Sequence, residues 1–465
     1  MGDKDLTVGS IPLLVGKLAL PVLVAFVMQS LYQLADLYFV GKLGAQQLAG
    51  MSIAVNTNFI VLALGMTFGV GSLALISRAY GGGGRAEIPV LFQQALWMSL
   101  AAGGALWLAA YLSAVPFVAT FTEDPVVLQA GVAYFSIITA TLLTQLLLMV
   151  ATFAFRAVGD FITPTLLMAV GVVLNVGLDP VLIFGLGPFP RMGVAGAAVA
   201  TVFTQAIGLA LVGWVVVAHS RSALTLRRPF VLRFDLMARM LRIGVPSGLQ
   251  FLLFAITMLV TYRFVRPYGG DATAAVGVGY RVIETGILPV VSVGMAVSSL
   301  VGQNLGAHRY DRMRAAALCG LAYGVAITLA EFTLLAWHPA FWVSLFTGDP
   351  GVQAVGAQYL SIVGLSLLLL GLDQPIVSVS VGLGRTLLPL VAQVLRMVTF
   401  LGALALLVGV WGLGLPGIFW SRALALVPEV LFLCGVLAFW WGTVLRASPQ
   451  AEGPVAPEPA PAEAG

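Results

Sequence analysis

Charge is what this chain has least of. Asp, Glu, Lys and Arg make up 9% of its 465 residues, where a soluble domain carries about a quarter. No stretch is polar enough to wrap a separate soluble domain, so an ordinary soluble enzyme is excluded for the bulk of the chain. Histidine is nearly missing: His219, His308 and His338 are scattered over loops and helix ends without metal-ligand spacing. Cys319 and Cys434 sit in separate apolar runs with no partner motif, which leaves packing rather than a disulfide, metal or nucleophile. Gly81 to Gly84 lacks the Gly-Lys-Ser/Thr ending of a phosphate loop. Neither a nucleophile elbow nor a zinc helix occurs. These absences point away from enzymes, and they call for no cofactor.

What is abundant is apolar length. Hydrophobic residues are 60% of the chain, in runs long enough for a hydrocarbon core that takes about 20 helical residues to cross. The runs lack the ten-residue alternation of an outer-membrane barrel, so the spans are helices. Twelve are expected, near 12–39, 49–78, 89–114, 127–155, 162–184, 194–218, 242–265, 273–304, 315–338, 352–381, 387–410 and 415–443. The 219–241 connection is the longest and rich in arginine. The end, 444–465, is rich in Pro, Ala and Glu, has little to bury, and reads as disordered. The first apolar run is too long for a cleavable signal, so the N-terminus is expected to stay uncleaved.

Basic residues set an orientation. Arg221, Arg227, Arg228, Arg233 and Arg239 crowd the central connection, and Arg78, Arg85, Arg156, Arg309, Arg312, Arg314, Arg385 and Arg446 fall on the same side. Lys42, Arg191, Arg263 and Arg266 fall on the other. The positive-inside rule makes both termini and the central loop cytoplasmic, in a cytoplasmic (inner) membrane. Anionic lipid headgroups explain the arginines more simply than nucleic acid does.

An internal repeat organises the whole. A shift of 225 positions lays Pro21 on Pro246, Gly44 on Gly269, Gly69 on Gly294, Tyr134 on Tyr359 and Phe121–Pro125 on Phe346–Pro350. Near the end the shift becomes 221, pairing Gly193 with Gly414 and Gly196 with Gly417. Six spans per copy make the repeat parallel, with a pseudo-two-fold along the membrane normal. The fold class is therefore an all-α membrane protein of twelve transmembrane helices in two six-helix lobes. Residues 1–218 form the N-terminal lobe, 219–241 a basic cytoplasmic linker and 242–443 the C-terminal lobe. Two fused lobes enclose a cleft without a partner chain, so a monomer suffices.

The polar residues inside the spans do not repeat. Gln29, Tyr32, Gln33 and Asp36 share one face of the first span. An acid in lipid costs about 2.5–3.5 kcal/mol, so this face should look onto protein or water. Asp36 is either a proton or cation site, or an interfacial acid paired with Lys42. Asn175 and Asp179 lie four apart in the fifth span, with Pro180 freeing a backbone carbonyl; the alternative has them reaching the outer interface. The repeat sets apolar Phe400 and Leu404 at these two places and Thr261 at that of Asp36. Arg281 and Glu284 are spaced to neutralise each other. Asp373, in the tenth span, is a second cation or substrate site or a structural partner. Glu331 and Glu429 are weaker candidates, facing water or a basic neighbour.

These residues together resemble the multidrug and toxic compound extrusion (MATE) transporters. The paired six-span repeat, the QxxYxxxD face, the VGxLG turn at Val40–Gly44, NxxxDP in the fifth span and GVAGAAVAT before Thr201 carry the resemblance over nearly the whole chain. The polar N-terminal lobe is similar to the prokaryotic DinF-like branch, whereas an acid in the tenth span is a NorM-type feature. The resemblance implies that Asp36, Asn175, Asp179 and Thr201 bind the coupling cation, H⁺ or Na⁺. It implies that Gln29 and Tyr32 line the substrate cleft and that Pro21 is the site of a protonation-linked bend; Gln33, on the same face, and Asp373 are further expected cleft residues. The expected activity is cation-coupled antiport of amphipathic, often cationic, drugs and toxic compounds, with membrane lipids around it. The competing expectation is a flippase for a lipid-linked precursor, which would want Arg281, Arg396 and Arg422 together in the cleft.

Overall fold

The structure, a computed structural model, describes residues 3–44, 46–48, 50–51, 58–218, 223–226 and 231–443. The expected disordered tail 444–465 lies outside the described residues, as do His219, Arg221, Arg227, Arg228 and Arg446. Among the described residues the chain is helical and holds no strand. Backbone donors and acceptors in hydrocarbon must be satisfied within the segment, which is why apolar runs of this length close into helices.

Twelve spans result, in two lobes. The first six are Ile11–Gly41, Asn58–Gly81, Ile88–Leu112, a bent fourth (Pro125–Ile138 and Thr141–Ala157), Ile162–Phe184 and Val194–Ala218. The seventh to tenth are Phe234–Val265, Gly270–Gly306, Tyr310–Trp337 and a bent pair, Pro350–Val363 and Ser366–Gly382. The eleventh is Leu387–Leu404, running into a π-helical stretch at Ala405–Val410, and the twelfth is Gly414–Leu424 with Leu426–Gly442.

The sequence repeat is written into the helix ends. Asp124 caps Pro125–Ile138, its carboxylate accepting from the Val126 and Val127 amides; Asp349 does the same for Pro350–Val363 through Gly351 and Val352. Each cap is followed by a proline whose missing N–H costs nothing at a helix start. The fourth span bends by 42° and the tenth by 52°, at matching positions of the repeat. Short helices Ala114–Ala119 and Pro339–Ser344 also correspond. The expected spans 127–155 and 352–381 are thus broken rather than continuous. The seventh helix starts at Phe234 rather than at residue 242, because Leu236 and Met240 bury their side chains against the other lobe.

The second and eighth spans form the centre: 67% and 61% of their most apolar windows are buried, against 17% for the third span. Each packs on its own lobe, and the second also packs on the seventh and eighth. Gly244 permits the closest approach. A Cβ there would strike the Thr67 backbone carbonyl.

The two lobes are tied together at one end, the end bearing Arg78, Arg85, Arg309 and Arg312. Gln303 donates to the Ala157 carbonyl at 2.8 Å and accepts from the Leu6 amide at 2.9 Å. Asn304 donates to the Leu6 carbonyl at 3.2 Å, Arg309 to that of Thr7 at 3.2 Å and Arg312 to that of Gly9 at 2.9 Å. Residues 4–9, just before the first span, are in this way strapped onto the second lobe. Gln94 and the Val231–Arg233 backbone exchange two bonds, 2.8 and 2.9 Å long. The buried clusters at this basic end mix both lobes, Leu73 with Met240 and Leu18 with Val301. Towards the opposite end they separate. One cluster (Val40, Phe135, Ile183) belongs to the first lobe, and another (Val276, Leu335, Phe419) to the second. The molecule is closed at its basic end and parted at the other.

Candidate cation and substrate site

The first span carries Asp36 into the parted half of the first lobe. The helix runs through Pro21 without a break, and the Pro21 carbonyl accepts from the Thr165 hydroxyl of the fifth span at 3.0 Å. That span in turn presents Asn175 and Asp179, four residues and about one turn apart. Both are fully buried, at 0% exposure, and Asp36 is at 7%. Neither of the fifth-span residues therefore reaches an interface. Lys42 does not pair with Asp36 either: its ammonium lies over the Tyr38 ring, 4.2 Å from the centroid.

Instead the Asp36 and Asp179 carboxylates meet at hydrogen-bonding range. With two acceptors facing each other, Asp36 Oδ1 and both Asp179 oxygens have no donor among the described residues, nor has the Asn175 amide a partner among them for its oxygen or nitrogen. Thr201, buried on the sixth span, takes a hydrogen bond of 3.0 Å with the Tyr32 hydroxyl. Asp36, Asn175, Asp179 and Thr201 are thus supplied by three helices packed on one another: the first on the fifth, and the fifth on the sixth. Among the described residues no base forms an ion pair with either carboxylate, and the chemistry of the set suits either a shared proton or a hard cation held by oxygens.

Tyr134 is the member that sequence reasoning passed over. It is buried on the fourth span within electrostatic reach of both carboxylates. Its repeat partner Tyr359 marked the position without revealing the role. Gln29 and Gln33, expected on the same face as Asp36, are exposed, while Tyr32 turns inward to Thr201.

Asp373 is brought to a different place. It lies buried in the second lobe, accepts from Gln374 at 3.0 Å and is within electrostatic reach of Glu429 and Arg396. Glu429 pairs with Arg396 at 3.3 Å, with side-chain exposures of only 4% and 16%. Arg281 and Glu284 form the expected pair, 3.8 Å apart and half-exposed. Glu331 is half-buried, and its Oε2 has no partner. A cavity of about 650 Å³ lies away from these charges. It is an apolar notch between the second, third and seventh spans, lined by residues such as Ile60, Ala63, Met98 and Leu249.

Comparison with known proteins adds to this geometry. The MatE family model matches residues 21–181 and again 246–403, so the two matches begin one repeat length apart. The chain is 27% identical over 440 residues to "Probable multidrug resistance protein YoeA" of Bacillus subtilis (strain 168), covering 90% of this chain and 92% of that one. It is 28% identical over 347 residues to the FAD transporter of Shewanella oneidensis, covering 72% and 74%. Among solved structures, a MOP superfamily transporter from Pyrococcus furiosus Vc1 superposes with a TM-score of 0.87 at 21% identity, over 95% of this chain and 98% of that one.

Proposed function

Because this chain belongs to the MATE family of multidrug efflux transporters, we propose that it is a cation-coupled antiporter exporting amphipathic, often cationic, small molecules by alternating access. One observation carries the proposal. Asp36, Asn175 and Asp179 are buried together with five polar atoms that have no hydrogen-bond partner among the described residues, in the half of the molecule where the lobes part. Supporting residues are Thr201 and Tyr32, joined by their hydroxyls, with Gln29, Gln33 and Asp373 as cleft residues and Pro21 as the position where the first span would bend.

The cycle follows from charge. The positive-inside rule puts the strapped basic end in the cytoplasm, so the parted end faces outward. There the carboxylate pair takes up H⁺, or Na⁺ held by carboxylate, amide and hydroxyl oxygens. Neutralising the pair weakens its attraction for a cationic substrate, which leaves. Opened inward, the site releases the ion and takes substrate again. One charge crossing 100 mV supplies about 2.3 kcal/mol, and one pH unit about 1.4 kcal/mol. Exchange of one proton for one monovalent cation cancels the voltage term. We assign residues 1–218 and 242–443 to the two rocking lobes, with 219–241 between them. A single chain in the lipid bilayer completes the cleft.

The flippase reading draws less support. Of its three bases, Arg281 and Arg396 are already paired with glutamates. The test is efflux of a fluorescent cationic dye from proteoliposomes under separately imposed pH and Na⁺ gradients, wild type against Asp36→Asn. Efflux driven by one gradient and lost in the mutant is expected. Full efflux in Asp36→Asn would move the coupling site elsewhere, and no movement of dye under either gradient would overturn antiport.

A further inference from the structure

The pseudo-two-fold has a chemical counterpart in the second lobe. The positions equivalent to Asp36, Tyr134, Asn175, Asp179 and Thr201 are Thr261, Tyr359, Phe400, Leu404 and Arg422. Every carboxylate is gone, and a guanidinium has taken the threonine's place. Arg422 Nη1 donates to the Thr261 hydroxyl at 3.2 Å. The guanidinium therefore reaches the spot that corresponds to Asp36 in the first lobe. It also lies over the Tyr280 ring, 4.8 Å from the centroid.

Its charge is not answered. No ion pair among the described residues includes Arg422, whereas Arg281 and Arg396 both have one. An arginine stays protonated under any ordinary condition, so a half-buried one without a carboxylate partner leaves a charge that a visiting anion can answer. The surroundings are arranged for that visit. Tyr280 and Tyr359 lie beside the guanidinium, the first with its ring beneath it. Both tyrosines are buried, at 8% and 0% exposure, and neither hydroxyl has a hydrogen-bond acceptor. A guanidinium fork and phenolic O–H groups are the donors that suit the oxygens of a carboxylate or phosphate.

We propose that the second lobe holds an anion-binding site centred on Arg422, the charge-reversed copy of the first lobe's carboxylate pair, which takes the carboxylate or phosphate group of a molecule held in the cleft. This rests on reading the cleft as a small-molecule pathway, and it widens the substrate class to zwitterionic amphipaths. A zwitterion would set its cationic end toward Asp36 and Asp179 and its anionic end toward Arg422, Tyr280 and Tyr359.

The test uses two dyes that differ in one group: rhodamine 110, with a free carboxylate, and rhodamine 123, its methyl ester. Binding to the full chain in a neutral maltoside detergent is followed by fluorescence anisotropy. Arg422→Gln should weaken rhodamine 110 by about tenfold, the loss of one charge-assisted hydrogen bond, and leave rhodamine 123 within about twofold. Arg422→Lys should recover part of the rhodamine 110 affinity, and retained rhodamine 123 binding reports an intact fold. Displacement of rhodamine 110 by short-chain phosphatidylglycerol, but not phosphatidylcholine, would assign the site to a lipid headgroup; no displacement would assign it to substrate. Equal changes for both dyes, no change for either, or a wild type that does not bind rhodamine 110 would overturn the proposal. Gradient-driven efflux of rhodamine 123 is decided independently, so antiport and the anion site can fail separately.

Discussion

Replacing Gly244 with alanine should wedge open the basic end. A Cβ at this position would fall inside the van der Waals envelope of the Thr67 carbonyl oxygen, which is helix backbone and has no rotamer to escape into. The neighbouring turns are equally tight. Gly71 faces the Met240 carbonyl, and Gly248 faces the Ala63 carbonyl and the Thr67 hydroxyl. Overpacking such a contact costs about 1–3 kcal/mol, and only the state that closes this seam bears the cost. The ratio of closed to open molecules should therefore fall by roughly 5- to 150-fold. Ser77 can report it. The side chain is fully buried in the same seam, against Gly302 of the other lobe. In a Cys319→Ser, Cys434→Ser background, Ser77→Cys should react at least about fivefold faster with an impermeant maleimide when Gly244→Ala is present. Gly171→Ala, where a Cβ meets nothing within 4 Å, should leave the rate unchanged. Unaltered labelling in a normally melting Gly244→Ala protein would refute the idea that this seam is the gate.

Two further perturbations probe charge. Glu429→Gln takes from Arg396 its ion-pair partner and leaves it the nearby Asp373 alone, and should destabilise the protein by about 1–3 kcal/mol, read as a lowered melting temperature in detergent. Asp5 lies in the strap outside the spans and accepts from the Thr7 hydroxyl at 2.6 Å and amide at 2.8 Å. Burial alone would raise its carboxyl, but the Thr7 bonds and the charges of Arg309 and Arg312 outweigh it, leaving the value below 3.8. A depressed folded value gives stability present above the unfolded value and lost as pH falls through the folded one. Amide exchange in residues 4–9 should thus stay slow at neutral pH and quicken only below about pH 4, and Asp5→Asn should remove that acid step.

The sequence was legible wherever a pattern is local or repeated. Run length placed the spans, and the shift of 225 positions anticipated that Asp124 and Asp349 would sit alike. The chemistry at Asp36 was readable as two alternatives; packing removes the pairing with Lys42, which lies over Tyr38, and sets Asp36 beside Asp179. The bends in the fourth and tenth spans were hidden because no proline marks Thr139–Ala140 or Gly364–Leu365. The early start at Phe234 was hidden for another reason. Its apolar face is short and interrupted by charge, and it makes sense only against the other lobe. Arg422 stood out as a base within a span, but its bearing on the first-lobe site depends on the 221 offset taken together with the guanidinium's reach to Thr261.

The strap at residues 4–9 has a kinetic consequence. It belongs by sequence to one lobe, where the Lys4 amide donates to the Val158 carbonyl, and is also bonded to the other, so in the proposed cycle opening that end would break the bonds to the second lobe and closing it would remake them. A gradient changes the free-energy difference across the cycle, whereas these bonds contribute to the height of the barrier in the middle. Steeper gradients should therefore stop accelerating turnover once detachment is the slow step. Shortening the chain before Ser10 should lift that ceiling while leaving the final accumulation ratio where the gradient sets it.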